Sequence, residues 1–443
     1  MSANAELTTL YQSVEKAINY NPRLQAQTYN SDACKYELRR SRGRYLPSVD
    51  LHLGYGFEQF SDRTTRQHDA DPSNTDWDKR EDATLRLTQK IYDGGETWHQ
   101  VSLQKALLAS ANFQVQATSQ SIVLQAIAAH LNVYKQRQLV ALAERVFTVH
   151  QDIHQSLTEM ERAGAGYLSD VTQTQARMAR ARSDVFMSKA DLSKAIAHYQ
   201  GVVGAKPEEL AYAEVPKIMP RSLEEALGWT ERMNPELLAL NSRIIEAHER
   251  VGLARSSYKP KVTIEVSNRY HDQLEGDPSW QNSLDAMLNM RWNLYNGGQD
   301  QAGVNTALSR KYQSRSDRDA RLFELREATT SAWATYLALQ EQKESYREAT
   351  VSSKKTFDAY LKQFSFSQRS LLDVLNTVTD YSQYARLLIT VSVDEIIAAY
   401  RVLELGGKLQ PVKHSGRMAY AEDLKRHSEV ILFPLLGSEP LFK

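Results

Sequence analysis

The chain has 443 residues, of which 42% are hydrophobic and 24% are charged, a balance typical of a folded protein and not of a disordered one. Basic and acidic residues number 54 each, so no net charge favours nucleic acid as a partner. Cys34 is the only cysteine, which excludes an intramolecular disulfide and a cysteine-based zinc site.

At the start of the chain, Ala3-Asn4-Ala5 has the form of a signal-peptidase cleavage site and predicts a mature chain whose signal has been removed. Residues 6–43 then predict helix with an interruption at Asn21-Pro22, because proline lacks a backbone donor and clashes with the preceding turn. The same dipeptide interrupts a second predicted helical stretch, over 222–256, at residues 234–235.

Alternation with a period of two begins at Ser48. Apolar residues take the odd positions in 48–57 and, except for Gln89, again in 83–91, which predicts a β-hairpin over 46–91. The same pattern at 262–270 and 284–294 predicts a second hairpin over 259–294. One face of these strands is apolar, and the other carries the charged residues Asp50, Arg86, Lys90, Glu265, Arg269, Asp285 and Arg291.

Each hairpin is followed by a double glycine and then by very long helices. Gly94-Gly95 lies in KIYDGGET and Gly297-Gly298 in NLYNGGQD. Residues 96–163, 167–200 and 304–405 contain neither glycine nor proline, and a helix over 96–163 would extend roughly 100 Å. We interpret the glycines as strand-to-helix joints that supply unusual backbone angles, and not as phosphate-binding loops, whose spacing they lack.

These landmarks show that the chain contains an internal sequence repeat. The Asn-Pro pairs are offset by 213 residues, whereas the double glycines are offset by 203. We therefore predict a first structural repeat over 6–200 with a long helical pair at 96–200, a linker at 201–220, and a second repeat over 221–409 with a helical pair at 299–405. A C-terminal tail follows at 410–443.

The hairpins have two interpretations. They could cover a soluble core, but the charged opposite face, the strand length of about ten residues and the aromatic residues near the strand ends favour membrane strands around a wet lumen. Four strands with free edges would leave backbone groups unpaired in hydrocarbon. Several chains would therefore share one barrel.

Taken together and in order, the two NPxL openings, the Tyr-x-Pro-x-Val strand entries, the double-glycine joints and the stretch QRSLLDVLN at 368–376 resemble the TolC family of outer-membrane exit ducts. The stretch QRSLLDVLN is most similar to the type I secretion branch. The resemblance implies a mixed fold of all-α and transmembrane β parts. In a homotrimer, long antiparallel helices would form a periplasmic α-barrel, and two hairpins per chain would form a shared 12-stranded barrel in the outer membrane.

Each long helical pair turns back on itself, at 164–170 and 365–373, and we call these turns the first and second tip. The resemblance implies a periplasmic gate at the second tip, and adaptor docking at both tips. The gate residues carried over are Phe364, Arg369, Asp373 and Asn376, and the docking residues are Gly164, Ser169, Asp170, Ser367 and Ser370. An alternative is that Arg369 and Asp373 are only a solvated ion pair.

The resemblance implies a passive conduit that works with a periplasmic adaptor protein and an inner-membrane ABC exporter in type I protein secretion. Two alternatives stay open: the same duct serving multidrug efflux with an RND-type pump, and a soluble coiled-coil scaffold. The sequence offers no catalytic constellation, and the histidines near the strands lack metal-ligand spacing. We therefore expect no enzyme activity, cofactor or metal.

Overall fold

A computed structural model of the chain describes residues 7–59, 77–272, 279–366 and 368–409. The helices are α1 (Leu10–Tyr20), α2 (Pro22–Gly43), α3 (Glu96–Arg162), α4 (Leu168–Val203), α5 (Leu223–Met233), α6 (Pro235–Ser256), α7 (Gln299–Ser365) and α8 (Leu371–Leu405). The strands are β1 (Ser48–Glu58), β2 (Asp78–Tyr92), β3 (Lys261–Asp272) and β4 (Trp280–Arg291). The predicted cleavage site at Ala3-Asn4-Ala5, Ser367, the tail at 410–443 and much of both hairpin loops lie outside the described residues.

The predicted helix breaks at the two Asn-Pro pairs are confirmed. Asn21 caps α2, its side-chain oxygen accepting from the Arg23 amide at 2.9 Å. Asn234 caps α6 in the same way, accepting from the Glu236 amide at 2.9 Å. Proline occupies the first helical position after each cap, where its missing N–H removes no helical hydrogen bond. The dipeptide therefore ends one helix and starts the next.

The four strands form one antiparallel sheet in the order β1-β2-β3-β4. Leu51 lies opposite Leu85, and Asp50 lies opposite Arg86. Because directly opposed residues share a face, this register keeps the apolar and charged faces separate in the part of the hairpin near the helices. Toward the loop the separation ends, since Tyr55 lies opposite Glu81 and Phe57 opposite Lys79. β4 ends at Arg291, so the apolar alternation that continues to Leu294 runs past the end of the strand.

The described chain divides into two compact units, which we name by their contents. The helical unit contains the segments up to Thr28, Phe113–Leu238 and the segment from Ala320 onward. The strand-bearing unit contains Tyr29–Asn112 and Ala239–Asp319. Each unit takes residues from both predicted repeats, so this division follows packing, and the two-repeat organisation stays a prediction.

A buried polar network lies in the core of the helical unit. The Nε2–H of His130 donates to the Ala211 carbonyl at 2.9 Å, so Nδ1 is the acceptor for the Ser13 hydroxyl at 2.9 Å. Ser13 in turn accepts from the Tyr199 hydroxyl at 2.8 Å. Burial lowers the pKa of His130 to about 4, so the ring is neutral at pH 7. The network joins α1, α3, α4 and the segment after α4.

None of the helices in the described ranges has an apolar stretch of the length that crossing a membrane requires.

Candidate functional site

The first tip is closed by a glycine in the left-handed region. Gly164 has φ +76°, and its amide donates to the Glu161 carbonyl at 2.9 Å. The next amide, that of Ala165, reaches back to the Met160 carbonyl at 2.9 Å. This pair of hydrogen bonds is the Schellman arrangement that satisfies the last carbonyls of a helix. The predicted docking residue Ser169 is exposed, and Asp170 lies half-buried in the first turn of α4.

The second tip repeats part of this hydrogen-bond pattern 203 residues later. The Gln368 amide donates to the Gln363 carbonyl at 3.0 Å, as Ala165 does to Met160. Ser370 caps α8, its hydroxyl accepting from the Asp373 amide at 3.2 Å. Ser367, the predicted docking residue that lies 203 residues after Gly164, is outside the described residues.

Arg369 is held by groups of its own chain. Its Nε donates to Gln363 Oε1 at 3.0 Å, and its guanidinium lies 4.3 Å from the centroid of the Tyr360 ring. Its Nη1 is 3.7 Å from Asp373 Oδ2, and both side chains are partly exposed. Each of these exposed contacts contributes about 1 kcal/mol or less, and together they hold the guanidinium against its own turn.

The other predicted gate residues separate into core and surface. Phe364 packs against a buried cluster that includes Phe357, Leu371 and Leu375. Asn376 is exposed, on the same helix as the half-buried Asp373. The structure thus places Arg369 and Asp373 together, and Phe364 in the core of the tip.

Sequence reasoning missed Tyr360 as the ring beside Arg369. It lies one helical turn before Phe364, and the two rings therefore share a face of α7. That spacing is the signal that could have found it.

Asp93 organises the first strand-to-helix joint. Its carboxylate accepts from the Gly95 amide at 3.1 Å and the Thr97 amide at 2.9 Å, and also from the Thr97 hydroxyl. Burial opposes ionisation, but the hydrogen bonds from Thr97 and Gly95 outweigh it and hold the pKa of Asp93 below its ordinary value. Asp93 therefore fixes the start of α3.

Both glycines of this joint are required by backbone angle, and Gly94 is required by space as well. Gly94 has φ +71°, and a Cβ there would lie 2.8 Å from Lys259 Cβ and 2.9 Å from the Ser256 carbonyl oxygen. At the second joint Gly297 and Gly298 also have positive φ. There the Gln299 amide donates to the backbone carbonyl of Asn296 at 3.0 Å, and no side-chain cap is present within the described chain.

The apolar face of the sheet is exposed in the isolated chain. Its large exposed side chains come from all four strands: Val49, Leu51, Leu53, Tyr55, Phe57, Leu85, Leu87, Ile91, Ile264, Tyr270, Leu284, Leu288 and Met290. A continuous apolar patch of this extent marks an interaction surface.

The opposite face of the sheet carries paired charges. Arg86 Nε lies 3.0 Å from Glu265 Oε1, and the Arg269 guanidinium is paired with the Asp285 carboxylate. Both pairs are partly exposed, as expected of side chains beside water. No group of three or more His, Cys, Asp or Glu side chains in the described ranges is arranged to hold a metal ion.

This combination of a small amphipathic sheet and paired long helices is the fold of outer-membrane channels. The crystal structure of the Campylobacter jejuni CmeC outer membrane channel superposes with a TM-score of 0.79 at 13% identity, covering 95% of this chain and 89% of that one. The fold class predicted from the sequence is thereby confirmed.

A sequence model of the family described as outer membrane efflux protein matches residues 13–204 and 230–402. The chain belongs to this family, and its resemblance to the TolC proteins is confirmed. It is an outer-membrane transport channel and not an enzyme, which sets aside the soluble scaffold alternative.

Among its relatives, the outer membrane efflux protein BepC of Brucella suis biovar 1 is 24% identical over 327 residues, covering 73% of this chain and 72% of that protein. The outer membrane protein TolC of Escherichia coli is 20% identical over 396 residues, covering 85% and 78%. The alkaline protease secretion protein AprF of Pseudomonas aeruginosa is 23% identical over 380 residues, covering 81% and 76%. The family thus includes proteins of efflux and of protein secretion.

Proposed function

We propose that this chain is the outer-membrane duct of a type I secretion system. It conducts substrates passively from the periplasm to the exterior, and it docks on a periplasmic adaptor protein and an inner-membrane ABC exporter. The observation that carries the duct itself is the four-stranded sheet, which exposes one apolar face, bears ion pairs on the other, and ends in two edge strands, β1 and β4.

The two free edges of the sheet, at β1 and β4, are the reason to propose an oligomer. Backbone N–H and C=O groups left unpaired in hydrocarbon cost several kcal/mol each, so a membrane sheet must close on itself. Four strands are too few to enclose water, whereas three copies supply twelve, a number within the range of outer-membrane barrels. We therefore propose a homotrimer whose apolar face meets lipid and whose charged face lines the lumen.

The tips are the proposed docking and gating elements. α3 and α7 each begin directly after a double-glycine joint and end at a tip. We assign docking to Gly164, Ser169, Asp170, Ser367 and Ser370, and gating to Phe364, Arg369, Asp373 and Asn376. Arg369 serves the gate by fixing the turn between α7 and α8, through its contacts with Gln363 and Tyr360. Asp373 contributes a negative charge at the entrance from each copy.

Secretion is favoured by the second-tip stretch QRSLLDVLN and by the similarity to AprF, a protein named for protease secretion. The second candidate, a multidrug efflux duct with an RND-type pump, is favoured by the similarity to BepC, which is named an efflux protein. The two functions use the same fold and differ in the adaptor and pump at the tips.

Photo-crosslinking at the second tip tests the proposal. Phe366 at the tip and Phe323 on α7 are 66% and 65% exposed, so p-benzoylphenylalanine at either position makes a matched pair. We expect Phe366 to capture the adaptor of an ABC exporter in cells and Phe323 not to. Capture of an RND-pump adaptor at Phe366 would establish the second candidate instead. Equal capture at both positions, or none at Phe366, would refute docking at this tip.

A further inference from the structure

A cavity of about 280 Å³, partly open to solvent, lies within the helical unit and is lined by α3, α4 and α8. Its lining residues on α4 and α8 begin roughly two turns away from the tips, so it is separate from the proposed gate. The volume lies just below the usual range of pockets for drug-sized ligands and far exceeds that of one water molecule. It therefore has room for a small hydrated ligand.

The charge in this cavity is unbalanced. Three guanidinium groups line it, those of Arg177 and Arg180 on α4 and Arg386 on α8, against the single carboxylate of Asp184. In the described part of the chain none of the three arginines forms an ion pair. Other arginines of this unit, such as Arg321 and Arg326, are paired with carboxylates. Unpaired like charges facing one cavity repel each other, and an anion between them removes the repulsion.

A buried histidine supplies a second, independent sign of a ligand. His150 on α3 lines the same cavity, and it is only 5% exposed. Its Nδ1 has no hydrogen-bond partner among the described residues. Burial, reinforced by the nearby Arg177, lowers the pKa of His150, so the ring is neutral and can donate one N–H. A buried polar atom without a partner implies a ligand or water that satisfies it.

We propose that this cavity binds a free oxyanion of the phosphate class, carrying two or more negative charges. The planar fork of a guanidinium matches the oxygens of phosphate, and three forks against one carboxylate leave an excess of positive charge that suits a multivalent anion. Because Arg386 belongs to α8 and the other two arginines to α4, the bound anion cross-links these helices. The site requires neither a membrane nor a partner protein, so it stands or falls independently of the proposed transport function.

Titration of the purified, detergent-solubilised full chain with inorganic phosphate, followed by calorimetry, tests the site. Arg386→Gln removes a phosphate-binding guanidinium on α8, and Arg180→Gln removes one on α4. The matched control is Arg182→Gln, whose guanidinium lies on α4 over the Phe186 ring, 5.8 Å from its centroid, and does not line the cavity. We expect wild type and Arg182→Gln to bind one phosphate per chain with equal affinity. Each cavity variant should bind at least tenfold more weakly.

Thermal unfolding in phosphate-free buffer provides a second readout. Arg386→Gln and Arg180→Gln should melt at the same temperature as wild type or higher, because each relieves repulsion, and phosphate should raise the melting temperature of wild type more than theirs. Phosphate also stabilises folded proteins in general, because it is excluded from their surface. This effect is common to all variants, so Arg182→Gln should show the same melting shift as wild type. Equal affinities in all four proteins, no binding to wild type, or equal melting shifts in all four would each overturn the proposal.

Discussion

A lysine on either face of β4 tests which face of the sheet meets lipid. Leu288 and Met287 are neighbours in this strand, and they are 68% and 56% exposed in the isolated chain. Leu288 lies opposite Ile264 on the apolar face, whereas Met287 lies opposite Glu265 on the charged face. Leu288→Lys and Met287→Lys therefore place the same charge one residue apart, on opposite sides of the sheet.

The expected magnitudes differ widely. A lysine on the lipid face costs about 2–4 kcal/mol near the bilayer midplane and less toward the interfaces. At about 1.4 kcal/mol per tenfold change, that range corresponds to a 30- to 700-fold shift in the folding equilibrium of one chain. The proposed trimer would carry the substitution three times, which gives about 6–12 kcal/mol if the sites are independent. Met287→Lys gains a neighbouring carboxylate and should change stability by less than about 1 kcal/mol.

Heat-resistant trimers on semi-native gels, measured after expression in the outer membrane, give the readout. We expect Leu288→Lys to lose most of its trimer and Met287→Lys to retain it. Retention by Leu288→Lys with loss by Met287→Lys would mean that the faces are inverted. Equal behaviour of the two variants would refute the assignment of a lipid face to this sheet.

Three further predictions concern the joints, the core and the tip. Asp93→Ala should lower the free energy of unfolding by about 1–2 kcal/mol in chemical denaturation, because three hydrogen bonds are lost. Asn296→Ala at the second joint should lower it by less than half as much. Equal losses in the two variants would contradict the role of Asp93 as the cap of α3. The folded-state pKa of His130, about 4, is below its ordinary value of 6.5, so its contribution to stability is complete above pH 6.5 and is lost as the pH falls toward 4. Chemical unfolding at several pH values should show the free energy of unfolding fall by about 3 kcal/mol over this range. If His130→Gln showed the same fall, His130 would not be its cause. In planar bilayers Arg369→Ser should raise single-channel conductance. Arg369→Lys should raise it less, because lysine keeps the charge but loses the planar guanidinium. Unchanged conductance in both variants would show that Arg369 is not part of the gate.

The parts of this protein that depend on neighbours in the chain were predictable. The strands were predictable because ten consecutive residues, 48–57, are enough to show that apolar and polar side chains alternate between two faces. The helix breaks at Asn21 and Asn234 follow from the proline beside each. The double glycines at both joints have positive φ, as a tight turn requires. In each case the cause lies within a few residues of the effect.

Contacts between distant segments could not be obtained in this way. Local spacing places Tyr360 and Phe364 on one face of α7, but which of the two rings lies beside Arg369 depends on how α7 and α8 pack around a shared apolar cluster. His130 is an ordinary helical residue in the sequence, and only the packing of α1 and of the segment after α4 against it gives both ring nitrogens a partner.

The cavity shows the same division most clearly. Arg177 and Arg386 are about two hundred residues apart, and each resembles any solvated arginine on a long helix. The sequence by itself determined which segments are strands or helices and which of their faces are apolar, because those properties repeat with the period of the backbone. Only the tertiary structure decided which charged groups line one cavity, because the contacts between side chains of different helices depend on the register and depth of helix packing, which no periodic pattern in the sequence records.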